Sequence, residues 1–163
     1  MNKHKFFVLG ISLSLLAVSC RKQDVVSDKA SPEVMLSEWK AMNNWSALKE
    51  DKYTSYNNSI TDNALTVDVI ENGLVLVYMK AGTHIESLPF QQKGKTDAYW
   101  YYQVSENTIQ LNAYVYSAAA ISNQQAFRYF IINADKLKSL EENGHSQSEL
   151  MSLNYENAAA LLK

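Results

Sequence analysis

The sequence predicts an α+β, β-dominant domain: an antiparallel, β-sandwich-like fold with a short helix before the central strand and one or two C-terminal helices. Residues 108–116 alternate between apolar and polar side chains, which is typical of a strand with one wet face. Residues 74–81 are apolar on both faces, which indicates a central strand covered on both sides. After Asn133 the apolar spacing lengthens to that of a helix.

Three further segments have strand character. Residues 53–56 form a short strand candidate, and the Asn-Asn-Ser sequence at 57–59 indicates a turn after it. Residues 99–104 carry aromatic side chains on both faces of a predicted strand. Residues 127–132 are the last clear strand of the chain.

The helices are predicted from their caps. Residues 61–72 read as a short helix with Thr61 or Asp62 as its cap, and Gly73 suits a left-handed position after it. Asn133 can cap a second helix over 134–143.

The C-terminal segment offers two alternative caps. Ser146 and Glu149 fit a capping box, and Asn154 can cap a final helix. We favour Asn154, because Ser148 and Ser152 are weak residues for a helix interior.

The first twenty residues have the pattern of an export signal. Lys3 and Lys5 precede an apolar run over 6–18, which is too short to span a bilayer. The string Leu-Ala-Val-Ser-Cys ending at Cys20 resembles a bacterial lipobox. That resemblance implies cleavage before Cys20 and lipid attachment to its thiol. The alternative is an ordinary secretory peptide with an incidental cysteine.

The predicted organisation follows from this signal. Residues 1–19 are a lipoprotein signal peptide, 20–33 are the lipidated cysteine and a flexible tether, and 34–163 are one β-rich globular domain. Cys20 is the only cysteine, so it has no disulfide partner within the chain. We expect a protein of the bacterial cell envelope, anchored to the outer membrane through its N-terminal lipid; which way it faces stays open.

Charge argues against one class of partner. Without the signal peptide, the chain has 13 basic and 17 acidic residues, which gives a formal charge of −4. No basic stripe is present, so we expect no nucleic-acid partner.

Several short features occur together along the chain after the lipobox. They resemble small lipoproteins of Bacteroidota that have no assigned function, which implies an envelope-tethered β-domain and no particular activity. Only Cys20 is carried over as a functional residue. The features are Trp39 and Trp45, the helix ending at Gly73, the string 75–78, Leu88-Pro89, Phe127-Arg128 and the string 154–156.

No catalytic motif is recognisable in the sequence. There is no Gly-x-Ser-x-Gly elbow, no phosphate-binding glycine loop and no His-Glu-x-x-His string. His84 and Glu86 share a strand face, but a metal site would need a third ligand such as His145 or Glu142. We therefore expect surface polar residues there, no cofactor, no metal and no enzyme.

Tyrosines on two successive strands give the leading functional hypothesis. If Tyr114 and Tyr116 face outward beside Tyr99 and Tyr101, they form an aromatic shelf for a glycan or a protein partner. The rival interpretation is that these aromatic pairs only stabilise the sheet. Two other functions stay open: a structural subunit of an envelope complex, and a hydrolase with an unrecognised site.

Overall fold

The computed structural model describes residues 32–94, 97–117, 121 and 125–162. The predicted signal peptide, Cys20 and most of the predicted tether lie outside the described residues. The described residues all belong to one compact unit. No helix in the described part of the chain has the length and hydropathy needed to cross a membrane.

The described residues form two antiparallel sheets and four short helices. The strands are β1 (Val34–Leu36), β2 (Lys40–Ala41), β3 (Ser46–Lys49), β4 (Thr54–Thr61), β5 (Leu74–Ala81), β6 (His84–Ser87), β7 (Phe90–Gln92), β8 (Ala98–Ser105), β9 (Thr108–Val115) and β10 (Gln125–Ile132). The helices are α1 (Val67–Asn72), α2 (Ala134–Glu142), α3 (Gln147–Ser152) and α4 (Tyr155–Leu161).

The two sheets pack face to face, which confirms the β-dominant sandwich. Sheet A has the strand order β1-β10-β5-β6, with β2 following β1 along the same edge of β10. Sheet B has the order β3-β4-β9-β8-β7. The chain passes from β6 in sheet A to β7 in sheet B at Pro89, which follows a cis peptide bond.

Strand β5 is interior in sheet A and covered on both faces, as predicted. Val75, Val77 and Met79 lie in the core between the sheets. The alternate residues Leu76 and Tyr78 pack on the other face, against the C-terminal helices.

Those helices form a third layer over sheet A. The layer centres on Leu137, Leu140 and Leu150, which are buried against the sheet. Each leucine removed from water in this way contributes about 2 kcal/mol. Side-chain burial on the sheet therefore stabilises helices that are too short to be stable alone.

The C-terminal helices number three, so the prediction of one or two was wrong. Both alternative caps are used. Ser146 forms the capping box with Glu149, whose Oε2 accepts from the Ser146 backbone N–H at 2.8 Å. Asn154 caps α4 by accepting from Asn157 N–H at 2.9 Å. Helix α3 forms despite its interior serines because it is capped and because Leu150 is fully buried.

The turn predicted at 57–59 was also wrong. Strand β4 runs without a break through Asn57, Asn58 and Ser59. It pairs with β9 over its whole length on one side, and with β3 from Thr54 to Asn57 on the other. Pairing of all three residues with β9, and of Asn57 also with β3, outweighs their local turn preference.

Helix α1 begins later than predicted. Thr61 pairs with Thr108 at the end of β4, and Asp62 accepts from Ala64 N–H in the turn that follows. The cap is Thr66, whose Oγ1 accepts from Val69 N–H.

Gly73 is required for a different reason from the one predicted. Its φ of −102° is not left-handed. A Cβ atom at this position would lie 2.5 Å from the carbonyl oxygen of Ile132 and 2.8 Å from that of Val69. Close backbone approach between α1 and β10, rather than an unusual dihedral angle, therefore excludes larger residues.

Arg128 on β10 joins three parts of the fold. Its Nε donates to the carbonyl of Ser37 and its Nη1 donates to the Tyr155 hydroxyl, both at 2.6 Å. The guanidinium also lies 5.9 Å from the ring centroid of Trp39. Arg128 thus connects the β1–β2 segment, sheet A and helix α4.

The folded domain begins before residue 34, its predicted start. Asn133 donates its backbone N–H to the Glu33 carbonyl at 3.0 Å. The Glu33 carboxylate lies 3.7 Å from Lys136 Nζ. Glu33 is therefore already part of the folded domain.

We expect Gly73→Ala to lower the free energy of unfolding by about 2 kcal/mol or more, because two backbone carbonyls must move to admit the methyl group. Gly144→Ala is the matched control. Gly144 has a φ of +91° but open space around its Cβ position, so only the left-handed dihedral costs energy, about 1 kcal/mol. Urea unfolding of both variants measures the difference, and equal losses would contradict the steric explanation.

Candidate functional site

The candidate site lies on the face of sheet B that points away from the core. Along β9, buried and half-buried residues alternate, and the half-buried ones face outward. The register of β8 and β9 pairs Tyr99 with Tyr114 on this face. Both tyrosines point outward, as the sequence predicts.

Five tyrosines form one contiguous group on this face, which we call the tyrosine cluster: Tyr53, Tyr99, Tyr101, Tyr114 and Tyr116. Ring centroids lie 5.7 Å apart for Tyr99–Tyr101, 5.3 Å for Tyr101–Tyr114, 5.0 Å for Tyr53–Tyr114 and 6.0 Å for Tyr53–Tyr116. All four predicted residues are therefore together, and Tyr53 was missed.

The cluster is open to solvent but not flat. Tyr99 and Tyr116 are 38% and 54% exposed. Only Tyr99 and Tyr101 are close to parallel, with 22° between their rings, and the other pairs are tilted by 41° or more. The cluster thus offers one stacked pair and a set of ring edges rather than a coplanar row.

One hydroxyl pair organises the middle of the cluster. Tyr101 donates to the hydroxyl oxygen of Tyr114 at 2.8 Å. Partial burial, followed by this hydrogen bond and the neighbouring phenols, raises the pKa of Tyr101 to about 12. Tyr101 therefore stays protonated at neutral pH and keeps the hydroxyl proton that it donates to Tyr114.

The other aromatic residues of β8 point inward. Trp100 is 1% exposed and contacts Trp45, with ring centroids 5.7 Å apart. Tyr102 donates its hydroxyl to the carbonyl of Val75 at 2.6 Å. Trp45 is partly buried against the core between the sheets, and Trp39 is partly buried among Arg128 and the helices.

The whole outward face of sheet B carries no acidic or basic side chain among the strand residues that the structure describes. We call it the neutral face. The ladder registers assign to it Ser46, Leu48, Ser55, Asn57, Ser59, Thr61, Gln91, Tyr99, Tyr101, Gln103, Ser105, Thr108, Gln110, Asn112 and Tyr114. Charged residues make up 20% of the chain, so their exclusion from this broad exposed surface is notable.

Other titratable groups lie away from the neutral face. Tyr129 donates to Asp62 Oδ2 at 2.6 Å, which ties the loop before α1 to β10. Burial, with this hydrogen bond, raises the pKa of Tyr129 well above its usual value. His84 and Glu86 share one face of β6 and are exposed. Within the described ranges, no three His, Cys, Asp or Glu side chains are placed to hold a metal ion.

Comparison with protein-family models, with curated proteins and with solved structures finds no match for this chain.

We expect Tyr114→Phe to lower the pKa of Tyr101 from about 12 toward the ordinary value of 10.0, because the hydroxyl partner is lost while the burial stays. At pH 11 a larger fraction of Tyr101 is then ionised than in the unaltered protein. NMR of ¹³Cζ-labelled tyrosine measures this fraction. Tyr116→Phe, which removes a hydroxyl that does not bond Tyr101, is the control, and the same shift in both variants would contradict the assignment.

Proposed function

We propose that this chain is a lipid-anchored, non-catalytic binding module of a bacterial cell envelope, and that its neutral face binds an uncharged glycan chain. The observation that supports the proposal is the neutral face itself: a broad, exposed sheet surface of amides, hydroxyls and tyrosine rings without charged side chains.

The chemistry of that face matches the chemistry of a neutral sugar. A pyranose ring presents C–H groups on its faces and hydroxyls around its rim. The exposed rings of Tyr99 and Tyr116 can stack against the C–H groups. Asn57, Asn112 and Gln110 supply donors and acceptors for the hydroxyls.

Other partner classes fit this surface less well. An anionic partner would need lysine or arginine on the face, and a stable protein interface usually has an apolar centre. The large exposed aliphatic and methionine side chains are spread over β1, β3, α1 and α3, and of these only Leu48 lies on the neutral face. Antibody paratopes do use tyrosine, serine and asparagine, so a protein partner is the second candidate.

The anchor rests on the sequence. The lipobox-like string ends at Cys20, and the first strand of the domain begins at Val34. A lipid on Cys20 would hold the folded domain to a membrane, and two or three acyl chains are enough for stable attachment.

We expect the full chain to retain neutral glycans, and not anionic ones, on an array that carries both kinds. Tyr99→Ala should lower the affinity for the best-retained glycan about tenfold, because one stacking ring is lost. Tyr99→Phe keeps the ring and should bind within about twofold of the unaltered protein. Ser105→Ala, at the far end of the neutral face, is the control. Undiminished binding by Tyr99→Ala, or selective retention of anionic glycans, would refute the proposal; capture of proteins alone favours the second candidate.

The anchor has a separate test. Expressed in a Gram-negative host, the chain should yield a mature N-terminal peptide that begins at Cys20 and carries a diacylglyceryl group with a further acyl chain on its amino group. Mass spectrometry of that peptide reads both modifications, and Cys20→Ser should prevent them. An unlipidated peptide that begins elsewhere would remove the anchor from the proposal.

A further inference from the structure

A cavity of about 450 Å³ opens between the sheets at one end of the sandwich, where the β5–β6 hairpin of sheet A faces β7 of sheet B. This volume is in the range of small-ligand sites. The cavity lies on the inner side of sheet B, so it is separate from the neutral face. Its described lining residues are Met79, Ala81, Gly82, His84, Glu86, Phe90, Gln92 and Gln125.

Polar side chains line this cavity at positions where a sandwich normally has apolar ones. Glu86 pairs with Met79, and His84 pairs with Ala81, so both polar residues point to the core side of sheet A. Ile85, between them, packs on the helical side. His84 and Glu86 are both exposed on the edge strand β6, so they line the side of the cavity that is open to solvent and accessible to a ligand.

Gln125 provides a buried polar group beside the cavity. It is 7% exposed, and its Oε1 has no hydrogen-bond partner within the described part of the chain. An unpaired buried amide oxygen is costly, so a ligand donor that drew this oxygen toward the cavity, by rotation of the terminal amide, would remove that cost. Gln92 on the opposite wall is fixed, because its Oε1 accepts from Trp100 Nε1 at 3.3 Å.

The remaining walls define the charge and shape of a ligand. Met79 and Phe90 are apolar and can contact an alkyl chain. Glu86 supplies a carboxylate, and the described lining contains no lysine or arginine. The site therefore favours a hydrogen-bond donor with positive charge over an anion.

We propose that this cavity binds a primary ammonium group on a short alkyl chain, with the ammonium between the Gln125 amide oxygen and the Glu86 carboxylate and the chain against Met79 and Phe90. The same chemistry occurs in free alkylamines and in lysine side chains of peptides. The proposal does not depend on the glycan hypothesis, because the two sites share no residue.

Methionine methyl groups report on this site directly. The full chain, labelled with ¹³C at its methionine methyls and held in lipid nanodiscs, is titrated with pentylamine, pentan-1-ol or valerate at pH 7. We expect the Met79 methyl resonance to shift saturably with pentylamine and not to shift with valerate. Pentan-1-ol should also shift it, with an affinity about fivefold lower than that of pentylamine. Met151, exposed on α3, is the internal control for nonspecific contact.

Two variants test the assigned groups. Glu86→Gln should remove the preference for amine over alcohol, and Glu71→Gln, an exposed acid on α1, should leave it unchanged. Gln125→Leu should weaken pentylamine binding at least threefold while the other methionine resonances keep their positions. Equal binding of valerate, an unchanged amine preference in Glu86→Gln, or no saturable shift at Met79 would each overturn the proposal.

A second ligand distinguishes the two sources of the ammonium group, a free alkylamine and a lysine side chain. Nα-acetyl-lysine-N-methylamide carries the same group on a peptide backbone. Tighter binding of this compound than of pentylamine supports a lysine side chain as the natural ligand. Tighter binding of pentylamine supports a free amine.

Discussion

The middle of sheet A is apolar on both faces, and the rest of the structure follows from the need to cover both. Val77 and Tyr78, adjacent on β5, are each 1% exposed, one facing sheet B and the other the helices. Sheet B supplies one cover. The helices α2, α3 and α4, of nine, six and seven residues, supply the other and need sheet A for their own stability. Every helix that follows the last strand is used in this way, so the described helices leave the outward face of sheet B uncovered.

Arg128 connects these layers to the segment between β1 and β2. Its guanidinium lies among the rings of Trp39 and Tyr155 and binds a carbonyl and a hydroxyl, rather than a carboxylate. Such contacts suit arginine, whose planar and weakly hydrated head stacks on aromatic rings. Lysine could not reproduce the two directed hydrogen bonds. The first strand and the last helix are therefore held by one side chain.

The sequence predicted those parts of the fold in which alternation alone decides burial. Strand β9 and its outward tyrosine are examples, because the two-residue turn at Glu106 and Asn107 fixes the register with β8. The prediction failed where tertiary pairing outweighs local preference, as in the strand through Asn57. Tyr53 could not be found, since it precedes β4 and reaches the cluster only through the β4–β9 register. Gln125 was missed for the same reason: four separate strands, β5, β6, β7 and β10, bring the cavity walls together.

The neutral face also has a kinetic consequence. A molecule that approaches a surface without charged side chains receives little electrostatic guidance, so association is expected near the unsteered range of about 10⁵–10⁶ M⁻¹s⁻¹. The encounter rate at that face should then vary little with ionic strength, since there is little local field for salt to screen. If the proposed glycans bind there, discrimination between them arises from how long each one stays bound, through contacts made after the encounter. A protein built in this way would work alike in dilute and in saline surroundings.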